Sequence, residues 1–242
     1  MKVSTCCLTF GRTAQLQEAL ESWLRQDYSG HELVIFNSLP SQKIEFKHPN
    51  VRIINAHIRP NSLGDTRNQA IRACRGEYIL NLDDDDIILP WYLSWLMARV
   101  GDNEWVRQAL RLNLHGNTIQ SITEQATNQL LFKKSLWEKV GGYPAKNSGE
   151  DAGFRKLIQQ HRGTELACEP REIGFIYGWG RGPYNVSALG EDVAGRPSAM
   201  QETQRLLRKR APKGGRVVLR PIWRTDYCQL TRRWLVNNGH KA

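Results

Sequence analysis

The chain has 242 residues, of which 40% are hydrophobic and 24% are charged, and a formal net charge of +10. This composition is ordinary for a folded globular protein and excludes a mostly disordered chain. No apolar run approaches the ~20 residues that span a bilayer, and no signal-peptide cleavage site follows the first apolar stretch. The five cysteines lack CxxC spacing, which predicts reduced thiols rather than a disulfide framework or a zinc site. We therefore expect a cytoplasmic protein, in the host cytoplasm if a virus encodes it.

The positive charge is concentrated at the C-terminus. The last 38 residues hold eleven of the 34 lysines and arginines but one of the 24 acidic residues, so the rest of the chain is neutral. A balanced body with a basic tail predicts a catalytic or binding core joined to a contact region for a polyanion.

The first 90 residues alternate between predicted strands and helices, which favours an α/β fold with a mostly parallel sheet flanked by helices. The predicted strands are Val3–Thr9, Glu32–Asn37, Val51–Ile54 and Glu77–Leu82, and the predicted helices are Thr13–Arg25, capped by Thr13, and Asp65–Arg75. Ligands of such sheets bind beyond the carboxyl ends of the strands. We therefore expect Thr9–Arg12, Asn37–Ser38 and Asp83–Asp86 to share one edge.

The alternation weakens after Pro90. Helical patterns cover Trp91–Val100, Ser135–Val140, Glu150–Gln160 and Ser198–Arg210, a strand-like run covers Gln129–Phe132, and the glycines of Gly178–Pro183 predict a loop.

Four consecutive aspartates, Asp83 to Asp86, follow the last of the predicted parallel strands. Adjacent carboxylates repel one another and favour a counter-cation. Mg²⁺ and Mn²⁺ take oxygen ligands and usually share them with substrate phosphates. The cluster therefore predicts a site for a metal–nucleotide complex, and the alternative is a solvated acidic turn that caps the next helix.

A second acidic pair, Glu150 and Asp151, opens a predicted helix after Gly149. Alone, this placement is what the helix dipole favours. A functional interpretation of the pair depends on the motifs that accompany it.

Several motifs follow in order between residues 3 and about 187. They are Val3–Arg12 with its helix, Gly64–Asn68 with Arg75–Ile79, Leu82–Ile87, and Leu131–Lys133 through Gly141–Tyr143 to Glu150-Asp151. These stretches resemble the first βα unit, the "ARN…GEYI" stretch, the "LDxDD" form of the DxD motif and the acceptor-side "ED" signature of the family 2 glycosyltransferases. The resemblance implies an inverting enzyme with the GT-A fold. It divides the domain into a nucleotide-sugar-binding half (1–90) and an acceptor-binding half (91–204), followed by a basic C-terminal extension (205–242).

The resemblance also implies roles for the matched residues. Asp85 and Asp83 would coordinate Mn²⁺ or Mg²⁺ bound to a nucleotide-diphosphate sugar, which offsets charge on the departing diphosphate. Asp151 would be the general base that takes the proton of the acceptor hydroxyl. The residues implied to contact the donor are Thr9, Arg12, Asn37, Arg67, Asp83 and Asp84. For Arg67, the alternative is an exposed helix arginine.

Two departures from the family pattern affect the donor site. The family usually has an aspartate pair after the second strand to read uracil, where this chain has Asn37 and Ser38. An amide can still donate and accept hydrogen bonds, but a UDP donor is no longer implied. The segment Tyr177–Ser187 also lacks the histidine that many GT-A enzymes supply to the metal, so we expect weak metal binding without the donor.

The basic tail favours a phosphate-rich acceptor, with DNA as the first candidate. Arginine forks suit phosphates, and neighbouring aromatic residues stack on extruded bases. Such DNA would carry a hydroxymethylated pyrimidine flipped towards Asp151. The residues predicted to contact the acceptor or DNA are Glu150, Trp179, Arg181, Arg208, Lys209, Arg210, Arg216 and Arg220.

Two alternatives accompany this prediction. Basic segments with tryptophan also bind anionic membrane surfaces, which fits a peripheral glycosyltransferase acting on a lipid-linked or cell-surface glycan. The other alternative is a non-catalytic nucleic-acid-binding protein on the same scaffold, which the intact acidic motifs disfavour.

Overall fold

We describe the protein from a computed structural model, which covers residues 2–124, 129–179 and 212–241. The predicted helix over residues 198–210 and most of the predicted loop at 178–183 lie outside these ranges. Where the loop was expected to begin, Gly178 and Trp179 instead end a β-strand.

Strands make up most of the regular structure in the described residues. They are β1 (Val3–Thr9), β2 (His31–Asn37), β3 (Gln42–Glu45), β4 (Val51–Asn55), β5 (Tyr78–Asp83), β6 (Ile87–Ile88), β7 (Trp105–Gln108), β8 (Leu110–His115), β9 (Thr118–Glu124), β10 (Leu131–Lys133), β11 (Gly163–Leu166), β12 (Phe175–Trp179) and β13 (Gly215–Val218). The helices are α1 (Thr13–Leu24), α2 (Leu63–Ala73), α3 (Tyr92–Arg99), α4 (Lys134–Lys139), α5 (Glu150–Ile158) and α6 (Tyr227–Asn237), and Pro170–Glu172 form a 3₁₀ turn.

The central sheet has seven strands in the order β11-β7-β10-β5-β1-β2-β4. Four of its six strand pairs are parallel, and both antiparallel pairs involve β10. All seven residues of β1 are buried, as its continuous apolar run predicts. The predicted mixed α/β fold with a mostly parallel sheet is confirmed.

The starts of α1 and α2 differ from the predicted ones for identifiable reasons, and those of α3 and α4 differ by one residue. Thr13 does not cap α1: it is the first helical residue, and Arg12 occupies the cap position without a side-chain cap hydrogen bond. The Arg12 guanidinium instead binds acidic residues across the sheet edge. Helix α2 begins two residues before Asp65, because the Ser62 hydroxyl accepts a hydrogen bond from the Asp65 N–H at 3.0 Å and caps the helix.

Beside the central sheet lie a four-stranded sheet, β6-β12-β8-β9, and a parallel pair, β13 with β3. Most of these strands are short or half exposed, so they lack the long apolar runs that identified the central strands.

The C-terminal segment packs against the body of the domain. Strand β13 extends β3, and Leu219 and Tyr227 are buried. The Tyr227 hydroxyl donates to the buried Glu18 carboxylate on α1, and Arg224 lies 3.5 Å from the same carboxylate. The described residues of the basic extension are therefore packed against the rest of the domain and form part of it. In none of the described segments does a helix combine the length and apolar character needed to cross a membrane.

Candidate active site

The four aspartates lie at the carboxyl edge of the central sheet, where β5 ends. Asp84 and Asp86 are fully buried, Asp85 is 6% exposed, and the Asp83 side chain is 35% exposed. Arg12, from the end of β1, reaches into this cluster and contacts two of its members. Its Nη1 lies 2.7 Å from Asp85 Oδ2, and its Nη2 donates to Asp84 Oδ1.

Burial changes the acid–base properties of this cluster. Desolvation raises the pKa of Asp85 to about 7, helped by the charges of Asp84 and Asp83 and opposed by Arg12. Burial, together with Asp85 and Asp83, also raises the pKa of Asp86 well above its usual range. Carboxylates in this setting are stabilised as anions by added positive charge, which a cation supplies.

Arg67 on α2 joins the two acidic motifs. Its Nη1 lies 3.2 Å from Asp83 Oδ1, and its Nε lies 3.3 Å from Glu150 Oε1. The Arg67 side chain is 7% exposed, so the alternative of an exposed helix arginine is wrong. Although burial opposes its charge, Asp83 and Glu150 raise the Arg67 pKa well above its usual value. One guanidinium therefore holds the end of β5 against the start of α5.

Asn68, the next residue, fixes the loop that precedes α5. Its side-chain amide donates to the Tyr143 carbonyl at 2.8 Å and accepts from the Tyr143 N–H at 2.8 Å. Its oxygen also accepts from the Trp137 indole at 3.0 Å. Gly142 has φ +80°, and a Cβ there would lie 2.6 Å from the Asn68 oxygen. The absence of a side chain at Gly142 therefore allows Asn68 of α2 to approach this loop and hold it through hydrogen bonds.

The two acidic residues of α5 have different surroundings. Glu150 is 4% exposed and paired with Arg67, and burial raises its pKa. Asp151 is half-buried, and its Oδ1 accepts a hydrogen bond from the Ala152 N–H at 2.7 Å. Glu150 is therefore fixed inside the domain, whereas Asp151 is partly exposed at the first turn of α5.

Comparison with known proteins identifies the family. The family model described as "Glycosyl transferase family 2" matches residues 4–149, which is more than half of the chain. The chain belongs to glycosyl transferase family 2. The matched range includes the Arg12–aspartate cluster, Arg67 and the Gly-Gly-Tyr loop.

Curated relatives agree with this assignment. EpsH of Bacillus subtilis (strain 168), named as a glycosyltransferase, is 30% identical over 172 residues, or 66% of this chain and 49% of EpsH. WcaA of Escherichia coli (strain K12), named as a colanic acid biosynthesis glycosyl transferase, is 34% identical over 97 residues, or 37% of this chain and 34% of WcaA. The chain thus spans about half or less of the length of these relatives.

Solved structures confirm the GT-A architecture. S. aureus TarS 1-349 in complex with UDP-GlcNAc has a TM-score of 0.59 at 16% identity, covering 86% of this chain and 65% of that one. The mannosyltransferase PcManGT from Pyrobaculum calidifontis, in complex with GDP-Man and Mn²⁺, has a TM-score of 0.56 at 15% identity, covering 85% and 68%. At these identities the likeness concerns the fold.

In this family 2 domain, the side chain of Asn37, which is predicted to contact the nucleotide base, makes hydrogen bonds within the protein. It is fully buried, its amide donates to the Gln42 carbonyl at 2.7 Å and to Asn55 Oδ1 at 3.0 Å, and its oxygen accepts from the Leu39 N–H at 3.1 Å. Ser38 donates to the Thr9 carbonyl at 3.1 Å. Asn37 therefore shapes the edge where β2 ends.

Asp86 has a structural role that sequence reasoning did not separate from the rest of the cluster. Its carboxylate accepts from the Gly178 N–H of β12 at 2.8 Å and from Gln129 Nε2 at 3.4 Å. It thereby ties the second sheet to the acidic turn. A run of four identical residues gives no signal that distinguishes this member, because the distinction lies in a contact 92 residues away.

A cleft of about 650 Å³ opens beyond the ends of β2 and β4. Its lining includes Phe36, Asn55, Arg59, Asp65 and Arg72 but none of the four clustered aspartates. The cleft is therefore separate from the acidic cluster.

The predicted acceptor residues are only partly within the described ranges. Arg216 and Arg220 are exposed on the C-terminal segment, and Arg216 pairs with Glu45 at 2.7 Å. The backbone of Trp179 pairs with β8 at the end of β12. Arg181, Arg208, Lys209 and Arg210 lie outside the described residues.

The oxygen-only donor set fits a divalent ion that is shared with a substrate. Asp83 has a partly exposed carboxylate and Asp85 lies two residues on, at the same strand end. Among the described residues, no three His, Cys, Asp or Glu side chains form a group able to hold an ion. Mg²⁺-type sites with one or two carboxylates commonly complete their coordination with phosphate oxygens and water.

Proposed function

We propose that this domain transfers a sugar from a nucleotide-diphosphate sugar to a hydroxyl acceptor with inversion at the anomeric carbon. The observation that carries the proposal is the Arg67 bridge between Asp83 at 3.2 Å and Glu150 at 3.3 Å. It sets the acidic strand end, where a diphosphate would lie, beside the first turn of α5. The GT-A likeness to structures with bound UDP-GlcNAc and GDP-Man supports a donor of this kind.

Asp151 is the proposed general base. It is half-buried at the start of α5, next to the fixed Glu150. A carboxylate there takes the proton of the acceptor hydroxyl as that oxygen attacks the anomeric carbon from the face opposite the diphosphate. The bond to the diphosphate breaks as the new glycosidic bond forms, which inverts the configuration.

Asp83 and Asp85 are the proposed ligands of Mn²⁺ or Mg²⁺. When bound, the ion would offset the negative charge of the departing diphosphate. Thr9, Arg12 and Asp84 are proposed to lie near the nucleotide, since they share the edge where β1 and β5 end. Asn37 contributes by holding the end of β2 in place through its buried amide.

The acceptor proposal rests on the exposed basic C-terminal segment. Arg216 and Arg220 are available to a polyanion on the surface, and DNA with a hydroxymethylated pyrimidine is one acceptor of that charge. A lipid-linked or cell-surface glycan at an anionic membrane is the second candidate. The relative named for colanic acid biosynthesis favours the glycan, as do exposed Val218 and Ile222 on the same segment.

One assay separates these acceptors. Release of UDP or GDP from the matching sugar donors is measured with Mn²⁺ in the presence of hydroxymethylated DNA, unmodified DNA, or anionic vesicles carrying a lipid-linked glycan. Stimulation by hydroxymethylated DNA alone would establish DNA as the acceptor, and stimulation by the glycan vesicles alone would establish the glycan. If no donor is bound or turned over, the proposed transfer is wrong, and a non-catalytic role takes its place.

A further inference from the structure

The acidic cluster already contains a cation, the guanidinium of Arg12. Arg12 Nη1 lies 2.7 Å from Asp85 Oδ2 while Nη2 donates to Asp84 Oδ1, so a single planar fork spans two neighbouring carboxylates. The Arg12 side chain is 14% exposed and the Asp84 side chain is fully buried. Buried ion pairs of this geometry are costly to break unless another charge replaces the one that leaves.

The neighbouring carboxylate also has a counter-ion. Asp83 Oδ1 lies 3.2 Å from Arg67, and the Asp83 side chain is 35% exposed. A divalent ion arriving alone therefore meets one partly free carboxylate and one, Asp85, with an oxygen engaged by Arg12. It also meets the repulsion of a fixed guanidinium a few ångströms away, with no third acidic or histidine ligand among the described residues.

We propose that Arg12 acts as a built-in counter-ion that keeps divalent metal out of the acidic cluster until a donor diphosphate brings additional oxygen ligands. The inference rests on the proposed function for the identity of that diphosphate. Its consequence is an order of events: the metal enters together with the nucleotide, and Arg12 is a positioning residue that holds the aspartates while the site is empty.

The test measures Mn²⁺ binding directly, by the loss of the free-ion EPR signal, without nucleotide. Arg12→Gln removes the charge and is expected to bind Mn²⁺ at least about tenfold more tightly than the unaltered protein, because the removed charge lies within a few ångströms of the ion. Arg12→Lys keeps the charge and is expected to bind as weakly as the unaltered protein. The matched control Arg162→Gln removes an arginine whose side chain is 67% exposed and pairs with Asp102, and it should change nothing.

The gain in Arg12→Gln must also depend on the cluster, so adding Asp85→Asn should abolish it. Equal or weaker Mn²⁺ binding by folded Arg12→Gln, or tighter binding by Arg12→Lys, would overturn the inference. If Arg12→Gln does not fold, Mn²⁺ binding without nucleotide is compared between the unaltered protein and Asp85→Asn. Tighter binding by the unaltered protein would contradict the inference, and equal binding would support it. Failure of the proposed function is separate, because it appears as no binding or turnover of any nucleotide sugar.

Discussion

The acidic edge and the basic C-terminal segment are both highly charged, but the domain holds them in opposite ways. At the acidic edge, the largely buried Arg12 holds Asp84 and Asp85 of one turn. The buried Arg67 bridges Asp83 and Glu150, which belong to different elements. On the C-terminal segment, the Arg216 side chain is 72% exposed and pairs with Glu45 beside it. Buried charges have fixed geometry and are strongly coupled, whereas exposed charges are screened by water and remain available to a partner.

Removal of Arg67 should have the largest effect on the fold. Arg67→Met leaves buried Glu150 without its partner, and breaking a buried pair in this way costs about 3–5 kcal/mol. The decrease in the free energy of unfolding is measured by urea denaturation. The matched variant Arg216→Met removes an exposed arginine and should lower the unfolding midpoint far less than Arg67→Met does. Equal losses in the two variants would show that the two regions do not differ as described.

Tyr227 on the C-terminal segment makes a buried polar contact, and loss of that contact should have an intermediate effect. Tyr227→Phe removes the hydroxyl that donates to Glu18, which is 1% exposed. A buried acceptor that loses its donor costs about 1–3 kcal/mol. Urea unfolding of Tyr227→Phe, with Tyr28→Phe as the half-buried comparison, checks this value. No loss of stability would mean that the segment rests on the domain without contributing to its stability.

The exposed pair at β13 should give the smallest effect, visible as a pH dependence. A hydrogen bond and the charge of Arg216 lower the pKa of Glu45. A depressed carboxyl pKa stabilises the fold above the unfolded value of about 4.3 and loses that contribution as the pH falls through the folded value. Any stability difference between the unaltered protein and Arg216→Gln should therefore be present at pH 7 and vanish in acid. A difference that grows in acid would contradict the assignment of this pair.

Local motifs were sufficient to predict the four parallel strands β1, β2, β4 and β5 and the position of the acidic cluster, but not the short strands β7 and β11 of the same sheet. The buried runs at β1 and β5 and the aspartates after Leu82 are signals within a few residues, and the family match and GT-A neighbours bear out the fold. The assigned chemical roles of Asp83, Asp85 and Asp151 remain predictions.

The sequence alone could not predict contacts between distant segments. The Arg67 bridge to Glu150 joins residues 83 positions apart, and the Tyr227 contact with Glu18 joins residues 209 apart. No local pattern distinguishes an arginine that reaches into the core from one in solvent. The predicted contact of Asn37 with the donor base stays a prediction; the sequence did not reveal that its amide donates to the Gln42 carbonyl and accepts from the Leu39 N–H.

In the proposed mechanism, Asp151 acts on the acceptor while the aspartate cluster holds the donor. The most direct test compares donor affinity and transfer rate in Asp151→Asn, with the exposed Asp102→Asn as a control. We expect Asp151→Asn to keep the dissociation constant of the unaltered protein for the nucleotide sugar but to lose about 10²- to 10⁴-fold in transfer rate, as for the loss of a general base. Near-normal transfer by Asp151→Asn, with Asp102→Asn also active, would contradict the account.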